Sequence, residues 1–83
     1  MKKMVYFYKA RLCTWTISPY GDRWELRWYL PDGSHEISGR YTTPMLAAGD
    51  VADGSTGFAD WDQLSHGEGI ADISNWGTAD RLP

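Results

Sequence analysis

The chain is short of the residues that carry most small-protein chemistry. It has one cysteine and two histidines in 83 residues. A lone cysteine excludes an internal disulfide and fits a reducing, cytoplasmic compartment. Zinc asks for four ligands, or three plus an open position. Cys13, His35 and His66 show no ligand spacing, so neither a metal nor another cofactor is expected. No long apolar run is present either. The start, Met1-Lys2-Lys3, resembles a signal peptide, but the apolar run at residues 4–8 is short and ends at the charges of Lys9 and Arg11. Neither a cleavage site nor a membrane span is expected. Gly54-Ser55-Thr56-Gly57 looks like a phosphate-cradling loop. It lacks the lysine of such loops and lies among Asp50, Asp53 and Asp60, which would repel a phosphate, so it reads as a helix end and turn. No nucleophile–base pair stands out, and the carboxylates sit in a Gly-rich setting that implies solvation rather than acid–base work. A non-enzymatic protein is expected.

What is present in excess is aromatic. Five tryptophans and five tyrosines offset a shortage of aliphatic side chains, since each aromatic can bury about 150–250 Å². A chain of this length makes one small domain, residues 1–83, with a modest core.

Charge is unevenly spread. The net charge is −3. Residues 1–48 hold seven Lys/Arg and four Asp/Glu, while residues 49–83 hold one Arg and seven Asp/Glu. Either an acidic tail lies across a basic sheet, or an acidic surface is offered to a basic partner.

The clearest local signal is the segment 23–41. Pro31-Asp32-Gly33 suits a type I turn with a glycine bulge. Around it, Trp24, Leu26, Trp28 and Leu30 alternate with Arg23, Glu25, Arg27 and Tyr29, the mark of an antiparallel sheet with one dry and one wet face. The expected register sets Leu30 opposite Gly33, Trp28 opposite His35, Leu26 opposite Ile37 and Trp24 over Gly39. It pairs Arg27 with Glu36 on the wet face. A first strand at about residues 4–17, with a candidate break near Ala10 and a reversal in the cluster 18–22, completes a three-stranded meander over 4–41. Tyr6, Phe7 and Tyr8 either extend that strand or form a separate arm.

Thr43-Pro44 is a helix start. The helix runs over 44–53 and stops at Gly54, with Pro44, Ala47, Ala48 and Val51 on one face at helical spacing. Leu46 falls off that face. Gly49 costs about 1 kcal/mol in a helix, so docking has to hold it. The segment 54–83 is acidic and irregular. Phe58-Trp61-Leu64 and Ile70-Ile73-Trp76 each space apolar residues by three, as single helical turns do. The fold expected is α+β: a three-stranded antiparallel β-meander, one helix on its Trp-rich face and an irregular acidic C-terminal segment. The expected core is Trp15, Trp24, Leu26, Trp28, Ile37, Ala47 and Val51.

The pattern offers two binding surfaces. The first is acidic: Asp60, Trp61, Asp62, Glu68 and Asp72. Trp61 either packs inward while its flanking acids cap a short helix, or protrudes as an acidic–aromatic contact for a protein with a basic surface. In size and charge the chain resembles small inhibitors of phage or mobile-element type. The second is the wet face, where Arg23, Arg27, Arg40 and Tyr29 make a basic–aromatic set suited to phosphates and bases. The stretch 21–48 runs strand, Asp-Gly turn, strand, Thr-Pro helix start. It is similar in layout to the arm-type domains of tyrosine integrases, and that resemblance implies nucleic-acid binding through the sheet. A homo-oligomer built on exposed sheet edges is a further expectation.

Overall fold

The structure, a computed structural model, describes residues 4–64 and 69–79. Its architecture is α+β. An antiparallel sheet of five strands is ordered β4-β3-β2-β1-β5. The strands are β1 (Val5–Lys9), β2 (Thr14–Tyr20), β3 (Arg23–Tyr29), β4 (His35–Tyr41) and β5 (Gly77–Ala79). One main helix, α1 (Pro44–Asp53), is followed by a single turn, α2 (Ala59–Asp62), and a 3₁₀ turn at Ile73–Asn75.

The expected three-stranded meander is therefore too small. Two physical reasons account for the extra strands. Ala10 N–H donates to the Cys13 carbonyl at 2.9 Å, and this tight turn folds the first strand back on itself. Tyr6, Phe7 and Tyr8 thus form their own strand against β2. The C-terminal segment then returns to lay Gly77–Ala79 along β1, so it is not irregular throughout. Gly77 permits this close approach, because any side chain there would collide with the Phe7 ring.

The second correction concerns turns and register. β2 continues through Ser18-Pro19 to Tyr20, and the reversal is Gly21-Asp22 alone. Gly21 has φ +59°, as hairpins with glycine first in a two-residue turn require. In the β3–β4 hairpin, Gly33 N–H donates to Leu30 O at 2.9 Å and Leu30 N–H to Ser34 O at 2.8 Å. Gly33 is the extra residue of the bulge and drops out of the ladder, so Leu30 meets Ser34 rather than Gly33. Everything beyond slips by one: Trp28 opposes Glu36 and Arg27 opposes Ile37. A second irregularity beside Leu26/Arg27 adds another step, leaving Leu26 opposite Gly39, Glu25 opposite Arg40 and Trp24 opposite Tyr41. Ile37 consequently lies on the wet face and is 46% exposed, so it leaves the core. Tyr41, not Trp24, covers Gly39: a Cβ there would sit 3.4 Å from the Tyr41 ring.

The helix matches its sequence signals. Thr43 Oγ1 accepts from Leu46 N–H at 3.2 Å, and Gly54 ends the helix at φ 70°. Ala47, Ala48 and Val51 are completely buried. They join Trp15, Ile17, Leu26, Trp61, Ile70 and Trp76 in one apolar cluster. Leu46 is exposed. Trp15 stands at the centre of the cluster, with ring centroids 5.7 Å from Trp28 and 5.4 Å from Trp61. Trp28 stacks on Phe58 at 4.8 Å. Trp24 is only partly buried and packs on Tyr6 at 5.8 Å. Tyr41 Oη donates to Asp50 Oδ2 at 2.6 Å, tying β4 to α1. Among the described residues no helix is long and apolar enough to cross a membrane.

Candidate functional site

The sheet has two unlike faces. On one, Tyr8-Trp15-Trp28 and Tyr6-Ile17-Leu26 form cross-strand rows beneath α1, α2 and the C-terminal turn. On the other, the rows are Lys9-Thr14-Tyr29-His35, Phe7-Thr16-Arg27-Ile37 and, at the far end, Tyr20-Arg23. Glu25 and Arg40 oppose each other between the last two rows. Lys9, Tyr20, Arg23, His35, Ile37 and Arg40 are exposed on this second face.

Its electrostatics centre on Glu25. That carboxylate is 4% exposed, and burying it without partners would cost several kcal/mol. Two guanidiniums supply the partners. Arg27 Nε donates to Oε1 at 2.5 Å and Arg40 Nε to Oε2 at 3.2 Å. Burial pushes the Glu25 carboxyl up, but these hydrogen bonds and charges outweigh it and hold the group below its ordinary value. The same contact raises Arg27. Each arginine is bound to Glu25 through Nε, and its side chain stays 30% exposed in Arg27 and 46% in Arg40. The expected Arg27–Glu36 pair is absent, because the register shift moved Glu36 to the row of Trp28.

Aromatic rings flank this fork. The Arg40 guanidinium lies 4.1 Å from the centroid of the Tyr20 ring, a cation–π arrangement. Tyr29 and His35 lie 5.0 Å apart at the other end. Among the described strand residues, four cations (Lys9, Arg23, Arg27, Arg40) share the face with one carboxylate, a local excess of three positive charges on an acidic chain. The face thus combines phosphate-binding and stacking groups over about 20 Å, six residue steps from Arg23 to Tyr29.

The acidic candidates fare differently. Trp61 is 3% exposed and its Nε1 donates to Val51 O at 2.9 Å, so it is a core residue and not a protruding contact. Asp62 is occupied internally. Its Oδ1 accepts from Thr56 Oγ1 at 2.6 Å, and its Oδ2 from Gly57 N–H at 2.9 Å. These bonds hold the loop 54–57 as a turn after α1. Asp60 is exposed on α2. Asp72 is exposed and caps the 3₁₀ turn, accepting from Ser74 N–H at 3.0 Å and Ser74 Oγ at 2.7 Å. Those bonds lower its carboxyl. Glu68, with His66, lies outside the described residues.

No family model, no curated protein and no solved structure matches the chain. The site rests on its own geometry. Among the described residues no group of three or more His, Cys, Asp or Glu side chains is placed to hold a metal ion. Arg23, Arg27, Arg40 and Tyr29 do share one face, as their alternation implies. Tyr20, His35 and Lys9 belong with them, and sequence reasoning misses all three. The signal for Tyr20 is available: a two-residue Gly-Asp turn sets it directly opposite Arg23. His35 escapes because the expected register puts it on the Trp28 side.

Among the described residues the acidic segment does not lie across this face. Ile70 and Trp76 pack into the cluster on the Trp side, and Trp76 Nε1 donates to Ile70 O at 2.7 Å. Asp53, Asp60 and Asp72 are exposed on the helical layer. Among the described residues, these three carboxylates and the arginines of the sheet lie on opposite sides of it.

Proposed function

We propose that the protein is a small, non-enzymatic binding module whose helix-free sheet face takes a single-stranded nucleic acid. One observation carries this reading. Arg23, Arg27 and Arg40 interleave with Tyr20 and Tyr29 on a face that no helix of the core cluster covers. Guanidiniums neutralise phosphates and rings stack on bases whatever their sequence. The major groove of duplex DNA admits a helix or a two-stranded ribbon; a five-stranded face with exposed rings suits a strand with its bases splayed. Cytoplasmic residence is part of the proposal and rests on the single cysteine.

The test is fluorescence anisotropy of a labelled single-stranded oligonucleotide, with its duplex as competitor, from about 50 to 200 mM salt. The expected result is preference for the single strand and affinity that falls linearly with log salt, with a slope of about −0.7 per phosphate contact. Arg23→Ala and Tyr20→Ala each weaken binding without unfolding the chain. Absence of binding at low salt overturns the reading.

A second reading has its own observation. Asp53 and Asp60 on the helical layer are exposed, as are Met45, Leu46 and Leu64. That surface fits a protein partner with a basic surface, and the module is then an inhibitor or regulator of phage or mobile-element type. With Trp61 buried, this reading relies on the carboxylates and on α1 rather than on an aromatic hot spot. Capture of a nuclease-resistant partner, lost in Asp53→Asn/Asp60→Asn, favours it over the sheet face. The edges β4 and β5 leave room for self-association, which sedimentation would reveal as a concentration-dependent mass.

A further inference from the structure

A cleft of about 260 Å³ opens where the β1–β2 turn meets the β3–β4 turn, lined by Arg11, Cys13, Thr14, Tyr29, Leu30 and Pro31 among others. It is continuous with the basic face, because Thr14 and Tyr29 belong to both. Lys9 opposes Thr14 in the same row. Resting on the reading above, we propose that this cleft receives the terminal nucleotide of the bound strand, its base against Tyr29 and its phosphate at Arg11.

Three features point to that occupant. The volume is below the roughly 300–1,000 Å³ of pockets for drug-sized ligands, which suits one planar heterocycle. The lining is mostly polar and joins Tyr29 to an exposed guanidinium, Arg11, the pairing that a base and its phosphate ask for. The third feature is the state of Cys13. Burial pushes its thiol up to about 11, so at neutral pH it is an uncharged wall that does not repel phosphate. The cleft closes one end of the track, which makes binding polar: one end of the strand is held by a base, while the other lies past Tyr20 and Arg23 on open sheet.

The experiment uses the full chain, ¹⁵N-labelled, titrated by NMR with a tetrathymidine strand and with two versions carrying an abasic nucleotide at the 5′ or the 3′ end. Four nucleotides match the lower end of sheet-type site sizes. The expected result is that one abasic end weakens binding about tenfold while the other changes it less than twofold. The sensitive end is also the one whose loss abolishes the amide shifts at Arg11, Thr14 and Leu30. Arg11→Ala, at an exposed position, removes the difference between the two abasic strands and leaves the spectrum otherwise folded. Leu30→Lys, at the cleft wall, gives the same loss of discrimination. Equal effects of both ends, or shifts confined to Arg23, Arg27 and Arg40, overturn the cleft while leaving the sheet face as the binding site. No shift with any strand overturns both.

Discussion

The two faces of the sheet are built from the same strands and solve opposite problems. The Trp face buries rings under small helical residues. Ala47 and Ala48, with no exposed surface, let α1 approach the indoles closely, and the energy comes from area removed from water. The opposite face has no helix over it among the described residues. Its middle carries a buried carboxylate and a buried threonine, Glu25 and Thr16. Glu25 is satisfied by two arginines, and each face keeps one buried polar atom without a hydrogen-bond partner among the described residues, Thr16 Oγ1 here and Trp15 Nε1 on the Trp side. The first face makes stability. The second holds charged groups in place around a buried carboxylate, the pattern expected where side chains are kept for recognition.

The sharpest way to break this contrast is to remove an indole. Trp15→Ala and Trp61→Ala should each lose about 3–5 kcal/mol, read by urea denaturation. A change under about 1 kcal/mol at Trp61 would return it to the surface and revive the acidic–aromatic contact.

Glu25→Gln comes next, at about 1.5–3 kcal/mol, because it removes two charge-assisted hydrogen bonds. Its pH signature is specific. The folded carboxyl titrates below the unfolded value of 4.5, so its contribution is fully present above that pH and is lost as pH falls through the folded value. The stability gap between wild type and variant should therefore stay constant above about pH 5.5 and narrow below about 4.5. A gap that persists undiminished in acid would show that the carboxylate's charge is not what holds the arginines.

Ala48→Leu tests the close approach of helix to sheet. Overpacking should destabilise by about 1–3 kcal/mol, visible as a lower Tm. Neutrality there would mean that the helix docks loosely.

Tyr41→Phe removes a hydrogen bond to a carboxylate and should cost about 1.5 kcal/mol. Burial and then the Asp50 hydrogen bond push the Tyr41 phenol up from 10.0 to about 12. The wild type should therefore keep this contribution below about pH 10 and lose it between about pH 10 and 12, whereas the variant shows no such step.

The smallest effect on stability belongs to the exposed cations. Arg23→Ala should stay within about 0.5 kcal/mol of wild type, while its loss reduces the salt slope of oligonucleotide binding by about 0.7. A large stability loss would move Arg23 from recognition to structure.

Much of this was legible in the chain, and where it was not the reasons are particular. Thr43-Pro44 and Gly54 mark both ends of α1 because capping is local chemistry, decided by a hydroxyl, a missing N–H and a left-handed residue. The alternation of Arg23 to Tyr29 assigns each side chain to a face for the same kind of reason. Register is different. A glycine bulge at Gly33 and an irregularity past Leu26 each move the ladder by one residue, and a one-residue slip carries Ile37 and His35 to the other face. The site was half visible: three arginines and Tyr29 group together from alternation, but Tyr20 and the Glu25 fork do not. Glu25 looks like one more solvated acid until Arg40 is brought opposite it from fifteen residues away.

By itself, then, the sequence determined what depends on near neighbours: the helix and its caps, the hairpin around Pro31-Asp32-Gly33, the two-sided character of β3, and the absence of a disulfide. Tertiary structure alone decided what depends on distant ones. It split the first strand into a hairpin and brought Gly77–Ala79 back beside β1. Trp61 it turned inward onto Trp15. It also put Asp53, Asp60 and Asp72 on the side of the sheet away from the arginines. The physical reason is range. Caps and alternation act within a few residues, whereas strand partners and the face that a returning segment covers are chosen by the summed burial of the whole chain.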